Sequence, residues 1–92
     1  MAYFVYMLRC GDGSLYTGST NHVPHRLAMH QSGKGAKYTR SHLPVELAYQ
    51  EEVPDWPSAL RREAEIKRFS RTQKLLLIQK KEGIYDKDAE SR

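Results

Sequence analysis

The sequence predicts an α+β domain in which helices flank a small three-stranded antiparallel sheet, with the elements in the order ββαβαα. Two short runs rich in aromatic and β-branched residues flank a Gly-Asp-Gly-Ser turn, which is typical of a β-hairpin. Three segments with capping residues then carry the apolar spacing of helices, and one alternating segment lies between the first two of them. Helices that follow strands in this way pack on the face of a sheet.

The hairpin and the first helix are the best-marked elements. Residues 3–9 contain almost only apolar side chains, so they predict a strand that is buried on both faces. Residues 15–19 predict its antiparallel partner. Asn21 is expected to cap the first helix, and Pro24 fits the first turn of that helix because no backbone N–H is needed there. We expect this helix to end at about Ser32.

The middle of the chain predicts a loop, a strand and a helix. Residues 33–44 form a loop with several basic residues and no acidic one. Residues 45–52 alternate between apolar and polar side chains, which predicts the third strand. A Pro-Asp-Trp-Pro-Ser turn with good capping chemistry precedes the next helix, expected over residues 57–70.

A last helix is predicted over residues 73–82. Thr72 offers its N-cap, and Gly83 offers a stop at its C-terminus. No linker or low-complexity tract interrupts the chain, so residues 1–82 predict a single domain. Residues 83–92 have balanced charge, and we expect them to form a flexible C-terminal tail.

Composition narrows the class of partner and the compartment. The 92 residues include 15 Lys and Arg against 11 Asp and Glu, a formal net charge of +4. This surplus favours a polyanion such as nucleic acid, although a solvated basic surface gives the same number. Cys10 is the only cysteine, which fits a reducing compartment. No apolar run reaches the roughly 18 residues of a membrane span, and no basic leader precedes the first apolar run. We therefore expect a cytoplasmic protein.

A single carboxylate stands in the apolar stripe of the helix predicted over residues 57–70. At 100° per residue, Glu63 falls on the face that carries Ala59 and Ile66. Burying an unpaired carboxylate costs several kcal/mol, so Glu63 needs a cation. Lys67, one turn further on, can supply an ion pair, and a divalent metal is the other candidate. From the helix alone, the ion pair is the favoured interpretation.

The first helix carries two polar residues on its apolar face. Arg26 and His30 share that face with Val23 and Leu27. An arginine fork matches phosphate oxygens, and histidine can transfer protons near neutral pH. Either residue alone is weak evidence, because exposed Arg and His are common on helices. Together, beside a basic loop, they suggest the rim of an anion-binding cleft.

Two tyrosines, Tyr6 and Tyr16, lie on the two strands of the predicted hairpin. They can meet across the ladder if their side chains share a face, although core packing is the usual reason for tyrosine in a strand. Gly18 is more informative, because a glycine weakens a strand unless something must approach its backbone closely.

The basic loop has an aromatic residue among its cations. The four residues of interest are Lys34, Lys37, Tyr38 and Arg40. Cations that track phosphates beside a ring that stacks on bases are typical of a surface that binds nucleic acid. A merely solvated basic loop is the equal alternative.

In the order of these residues, the sequence resembles the GIY-YIG nuclease superfamily over roughly residues 3–75. Phe4-Val5-Tyr6 stands in the GIY position and Tyr16-Thr17-Gly18 in the YIG position, and the residues that follow match its helix motifs. Tyr38, in Ala-Lys-Tyr-Thr, further resembles a short, stand-alone bacterial branch of UPF0213-like proteins. Two positions depart from the superfamily pattern. Phe4 replaces the first glycine, and Ser19 stands where the repair nucleases have a lysine.

The resemblance implies a metal-dependent endonuclease that hydrolyses phosphodiester bonds in DNA, in repair or processing. It implies one divalent cation, Mg²⁺ with Mn²⁺ as the alternative, held by Glu63, and here it reverses the preference for an ion pair. The implied catalytic residues are two tyrosines that are candidates for the general base, a phosphate-binding arginine and two side chains that orient groups or transfer protons: Tyr6 and Tyr16, Arg26, and His30 and Tyr38. Tyr16 is preferred over Tyr6 as the base.

The same resemblance implies a nucleic acid substrate. We expect the basic side chains Lys34, Lys37, Arg40 and Lys67 to contact it. The alternative is a catalytically weak nucleic-acid-binding module of the same fold, which would need a protein partner for targeting.

Overall fold

A computed structural model describes residues 2–90 of the chain, and the side chains of residues 2–81. It confirms the α+β class and the three-stranded antiparallel sheet. One short helix adds to the predicted order. The elements are β1 (Tyr3–Cys10), β2 (Leu15–Thr20), α1 (Val23–Gln31), α2 (Lys37–Arg40), β3 (Val45–Val53), α3 (Trp56–Lys67) and α4 (Arg71–Glu90).

The central strand is β1, which pairs with β2 on one side and with β3 on the other. This position explains its apolar sequence, because a central strand with helices on both faces has no side that meets water. The β1–β2 register places Tyr6 opposite Gly18 and Leu8 opposite Tyr16. Tyr6 and Tyr16 therefore project from the same face of the sheet, offset by two residue pairs along the ladder.

The sheet has a core on each face. Val5 and Met7 of β1 pack with Ala59 and Ile66 of α3 on one face, where Ile78 of α4 completes the cluster. Alternation sends the intervening β1 residues to the other face, where Tyr6, Leu8 and Cys10 pack near Leu27 of α1. The sheet is thus a middle layer, and its free β2 edge lies between α1 and α3.

The start of α1 differs from the prediction. His22 is the N-cap, because the first helical residue is Val23, and its Nδ1 accepts a hydrogen bond from the backbone N–H of His25 at 3.1 Å. Asn21 lies one residue outside the helix, so the prediction that it caps α1 is wrong. Pro24 is in the first turn, as expected.

The start of α4 also differs. The backbone N–H of Gln73 donates to Ser70 Oγ at 3.1 Å, and the backbone N–H of Ser70 donates to Gln73 Oε1 at 2.9 Å. This reciprocal pair is a capping box, so Ser70 caps the helix in place of Thr72. The helix continues past Gly83 to Glu90, since one interior glycine costs a helix only about 1 kcal/mol. The flexible tail predicted over residues 83–92 lies outside the residues whose side chains the structure describes.

The segment predicted as a basic loop contains the single turn α2. Thr39, in this turn, is fully buried, and its Oγ1 donates to the carbonyl oxygen of Ala36 at 2.9 Å. A helix of four residues has little stability of its own, so contacts with the rest of the protein hold it. That dependence on tertiary contacts explains why local sequence did not predict it.

A polar network joins β3 to α3. Arg62 Nε donates to Glu51 Oε2 at 2.8 Å, and the Tyr49 hydroxyl donates to the other oxygen of the same carboxylate. Arg62 also pairs with Glu65 at 2.9 Å. Burial and the neighbouring Glu51 carboxylate raise the pKa of Tyr49 to about 12, so the phenol is protonated at neutral pH.

No helix among residues 2–90 is long and apolar enough to cross a membrane.

Gly18 is a glycine because the ring of Tyr6 lies directly over it. A Cβ at this position would stand 2.5 Å from the Tyr6 hydroxyl oxygen and 2.7 Å from the ring carbon that bears it. Side-chain carbons do not approach other atoms so closely in real structures. The glycine therefore lets the Tyr6 side chain cross β2 and reach the free edge of the sheet.

We expect Gly18→Ala to lower the free energy of unfolding by about 1–3 kcal/mol, the usual cost of overpacking. Urea unfolding of the variant measures this loss. In a Tyr6→Ala background the ring is absent, and the same substitution should cost little. An equal cost in both backgrounds would contradict the close-approach explanation.

Candidate active site

The predicted site residues meet at the free edge of β2, between α1 and α3. Tyr6 and Tyr16 come from the hairpin, Arg26 and His30 from α1, and Glu63 from α3. The rings of Tyr6 and Tyr16 both pack against His30, with centroids 5.9 and 5.3 Å away. The structure thus brings together five of the residues that the sequence singled out.

A chain of hydrogen bonds assigns the protons of the buried His30. Thr39 Oγ1 donates its only proton to Ala36, so it must accept from His30 Nδ1, which lies 2.8 Å away. The neutral imidazole then carries its proton on Nδ1 and has a bare Nε2. The Tyr6 hydroxyl lies 2.9 Å from Nε2 and therefore donates to it. The order of donation is Tyr6 to His30 to Thr39 to the backbone.

His30 is held neutral by its surroundings. Its side chain is fully buried, and Gly35 packs so closely on the imidazole that a Cβ there would overlap it. Burial lowers the pKa of His30 below its ordinary value, and the charge of Arg26 lowers it further. His30 therefore has no proton to give at neutral pH beyond the one it already shares with Thr39.

The Tyr6 phenol is protonated and donates to His30. Burial raises its pKa, and the nearby Tyr16 and Glu63 add to that effect. The Arg26 guanidinium lowers the pKa without overcoming burial, so Arg26 lies close to the Tyr6 oxygen at the sheet edge.

Of the two hairpin tyrosines in the site, Tyr16 is the one with an unoccupied hydroxyl. Among the described side chains, none forms a hydrogen bond with the Tyr16 hydroxyl, and its ring packs against His30 and Tyr38. Tyr16 and Lys67 line a cavity of about 330 Å³ with Tyr38 and Lys74. The free hydroxyl therefore faces solvent beside a cation.

Tyr38 belongs to the wall of this cavity and not to the centre of the site. Its hydroxyl donates to Ser14 Oγ at 2.6 Å, and Ser14 Oγ donates to Asp12 Oδ1 at 2.6 Å. Its ring lies parallel to Tyr16 at 6.2 Å and to His42 at 4.1 Å. Because the hydroxyl is used at the hairpin turn, Tyr38 offers the site a stacking surface rather than a proton.

Glu63 is satisfied by protein groups. Its Oε2 lies 2.7 Å from Lys67 Nζ, and its other oxygen accepts a short hydrogen bond from Ser19 Oγ. The hydrogen bond from Lys67 to Glu63 and the negative charge of that carboxylate raise the pKa of Lys67. The ion pair that the helix alone favoured is therefore present. The side chain of Glu63 is 18% exposed, so it remains within reach of a bound ligand.

A metal at this edge would have one protein carboxylate. No group of three or more His, Cys, Asp or Glu side chains converges anywhere in the described part of the chain. Mg²⁺ often has only one or two protein carboxylates, with water and substrate phosphate as the other ligands. Glu63 fits a cation of that kind and does not fit a closed structural site.

The remaining basic residues lie on the outer surface. Lys34, Lys37 and Arg40 are exposed on α2 and the turn before it, and none of them pairs with a described carboxylate. These three stay free to meet an anion, although they lie around the site and not within it. Lys67 is 53% exposed but pairs with Glu63, so it belongs to the site itself.

Sequence reasoning missed three residues that hold the site together. Ser19 bonds to Glu63, Thr39 fixes the His30 tautomer, and Gly35 makes room for the imidazole. Ser19 and Thr39 each adjoin a motif residue, which is the one signal the chain offers. Their partners lie 44 and 9 residues away in sequence, so only the folded structure reveals the contacts.

Comparison with known proteins decides the family. A model of the GIY-YIG catalytic domain matches residues 2–76. The chain belongs to the GIY-YIG superfamily. Within it, this GIY-YIG domain is 55% identical over 78 residues to a UPF0213 protein of Streptococcus sanguinis, covering 85% of this chain and 90% of that protein. It is 52% identical over 79 residues to the UPF0213 protein SH2523 of Staphylococcus haemolyticus, covering 86% and 96%.

Solved structures agree with this placement. The solution NMR structure of the UPF0213 protein BH0048 from Bacillus halodurans is 46% identical, covers 92% of this chain and 90% of that one, and superposes with a TM-score of 0.59. The protein EF2693 from E. faecalis is 36% identical, with coverages of 87% and 85% and a TM-score of 0.60. GIY-YIG nucleases as a class use divalent metal ions and act on nucleic acid.

We expect ring ¹⁵N NMR to show His30 with its proton on Nδ1, and to show a His30 pKa below the ordinary value of about 6.5. Because folding lowers this pKa, the unfolded chain binds more protons in acid. The free energy of unfolding should therefore fall as the pH drops through about 6.5. His30→Gln should weaken this dependence, and His25→Gln, at an exposed position, should not. A proton on Nε2 would contradict the assigned relay.

Proposed function

We propose that the protein is a divalent-metal-dependent endonuclease that hydrolyses phosphodiester bonds in DNA, in repair or processing. One observation carries the proposal. Arg26 lines a cavity with Ser19, which donates a hydrogen bond to the Glu63 carboxylate, and Tyr16 lies on the same strand as Ser19 at the open sheet edge. Family membership supports the reaction class, and the geometry supports the roles of the individual residues.

Tyr16 is the general base in this proposal. Among the described side chains none forms a hydrogen bond with its hydroxyl, whereas the Tyr6 hydroxyl already donates to His30. The Tyr16 hydroxyl first loses its proton to solvent, and the phenolate then takes a proton from water as the water oxygen bonds to phosphorus and the bond to the leaving oxygen breaks. Lys67 lines the same cavity as Tyr16, and its positive charge favours negative charge on the phenol oxygen.

Arg26 stabilises charge on the phosphate, and Tyr6 with His30 positions it. The guanidinium can form paired hydrogen bonds to two phosphate oxygens, which favours the transition state more as charge accumulates. The Tyr6 hydroxyl, which His30 holds by a hydrogen bond, lies close to the guanidinium and limits its position. Tyr6 and His30 thus act through Arg26, and the Tyr38 ring borders the cavity as a stacking surface.

Glu63 is the residue that would hold the metal, with Mg²⁺ first and Mn²⁺ second. When bound there, the cation supplies Lewis-acid polarisation of the phosphate and stabilises charge on the leaving oxygen. Lys67 must release Oε2 of Glu63 for this to happen, and its exposed, flexible side chain can do so. The other basic residues of the proposed substrate surface are Lys34, Lys37 and Arg40.

The Glu63–Lys67 pair also favours a second candidate. With Ser19 and Lys67 in place, the carboxylate is fully satisfied without any metal. A nucleic-acid-binding module with weak or no turnover, targeted by a protein partner, is consistent with that arrangement. The two candidates share the fold and the basic surface and differ in what Glu63 does.

Glu63→Gln should abolish cleavage of single-stranded, branched and duplex DNA in Mg²⁺ or Mn²⁺, because the amide loses the charge that holds the metal. We expect at least a ~100-fold loss of rate, on the scale of removing one group that stabilises transition-state charge. Glu65→Gln, on the exposed side of the same helix, is the matched control and should retain activity. Cleavage rates measured on gels provide the test.

Two outcomes would count against this role. Cleavage that survives Glu63→Gln would mean that the carboxylate holds no essential metal. Salt-sensitive DNA binding without cleavage by wild type in either metal would support the binding module instead.

Lys67→Gln should tighten Mg²⁺ binding by roughly 3- to 10-fold, because a cation that competes for Glu63 is removed. Titration of Mg²⁺ against the backbone amide of Glu63 by NMR measures the affinity. Lys80→Gln, which removes a distant exposed cation from α4, should leave it unchanged. Equal affinities for all three proteins would show that Lys67 does not compete with the metal.

A further inference from the structure

A second cavity opens beside the proposed catalytic residues, at the other end of β2 from Tyr38. Its volume is about 490 Å³, within the usual range for small-ligand sites. We call it the Trp56 pocket. Its lining residues are Tyr3, Ser19, Thr20, Asn21, Arg26 and Trp56.

Trp56 gives the pocket an aromatic wall. It is the first residue of α3 and is 41% exposed, although tryptophan usually buries most of its surface. Its ring lies 5.7 Å from the ring of Tyr3 at a tilted angle. Neither described core cluster contains Trp56. A partly open indole supported by a second ring is a surface on which a flat group can stack.

Two lining residues connect this pocket to the proposed catalytic residues. Arg26 lines the pocket and lies close to the Tyr6 hydroxyl, and Ser19 lines it and donates to Glu63. A phosphate held at Arg26 therefore leaves the adjoining nucleoside next to Trp56. No carboxylate lines the pocket, and its one charged residue is an arginine, which complements an anionic ligand.

The two cavities lie along one strand. Residues 15–17 line the 330 Å³ cavity that also contains Tyr38, and Ser19 and Thr20 line the Trp56 pocket. Gly18 lies between these two parts of the strand. The six residues of β2 span roughly 20 Å, so a polymer that follows the strand meets an aromatic surface on each side of Gly18.

We propose that the Trp56 pocket binds one unpaired nucleobase of the substrate, stacked on the indole, next to the phosphodiester at Arg26. The identity of the polymer rests on the proposed function. A base that enters a concave pocket cannot remain paired and stacked in a duplex, so the preferred substrate has unpaired nucleotides at the cut. Stacking of this kind tolerates any base, because every base has a π face.

Binding of a nuclease-resistant phosphorothioate single strand, measured by fluorescence anisotropy in Mg²⁺, tests the pocket separately from cleavage. Trp56→Ala should weaken binding by roughly 5- to 30-fold, and Trp56→Phe by no more than ~3-fold. Leu60→Ala is the matched control, since Leu60 is 48% exposed on the same helix and does not line the pocket. Trp56 is the only tryptophan, so quenching of intrinsic fluorescence reports stacking directly.

An abasic series makes the test independent of how the variant folds. Strands that lack one base at successive positions are bound to wild type, and one position should lose affinity by a factor similar to that of Trp56→Ala. The Trp56→Ala protein should be insensitive to that same position. A duplex of the same sequence should bind more weakly and quench less.

The outcomes separate this inference from the proposed function. If wild type and Trp56→Ala bind and cut single strands equally, the pocket does not bind a base, but the proposed nuclease function is supported. If binding depends on Trp56 and the matching base but no cleavage occurs in Mg²⁺ or Mn²⁺, the base-binding pocket is supported and the proposed nuclease function is wrong. Loss of affinity that no abasic position reproduces would overturn the stacking assignment.

Discussion

The close approach of Tyr6 to Gly18 is the contact on which the rest of the site depends. It lets a side chain from the central strand cross its neighbour and donate to His30 on α1, and Thr39 then joins α2 to the same chain of bonds. Four elements of the fold thus meet through one buried phenol. Because the hydrogen-bonding groups of this relay are neutral and satisfied, they can be buried at little electrostatic cost.

The charged groups lie outside that neutral relay. Arg26 borders it through Tyr6, and Glu63 with Lys67 stands at the sheet edge, where water still reaches both. This division explains the pKa directions. Burial raises the pKa of Tyr6 and lowers that of His30, so both groups are uncharged at neutral pH. The interior orients the guanidinium, and the rim supplies the charges that a phosphate or a metal can meet.

Local sequence was sufficient for the sheet and for the existence of the long helices, because strand alternation and helical spacing fix which side chains share a face. That the five site residues would meet was implied by the resemblance to the GIY-YIG superfamily and not by those local patterns. Local sequence was insufficient where a contact with a residue elsewhere in the chain determines the structure. The turn α2 exists because Thr39 bonds to His30, and Ser19 matters because Glu63 lies opposite. The cap at His22 and the capping box at Ser70 differ from prediction by one or two residues, since several adjacent side chains can cap a helix and only the observed backbone selects one.

The state of Glu63 links the two candidate functions. Its pair with Lys67 occupies the oxygen that a metal needs, so metal affinity depends on where the lysine goes. A DNA phosphate at the sheet edge offers Lys67 another anion within reach of its flexible side chain, and that contact would release Glu63. Under this proposal the carboxylate is satisfied in the free protein and becomes available when substrate arrives. A purely structural interpretation would assign the Glu63–Lys67 ion pair no further role. The pair is nevertheless compatible with a metal site that forms when substrate binds.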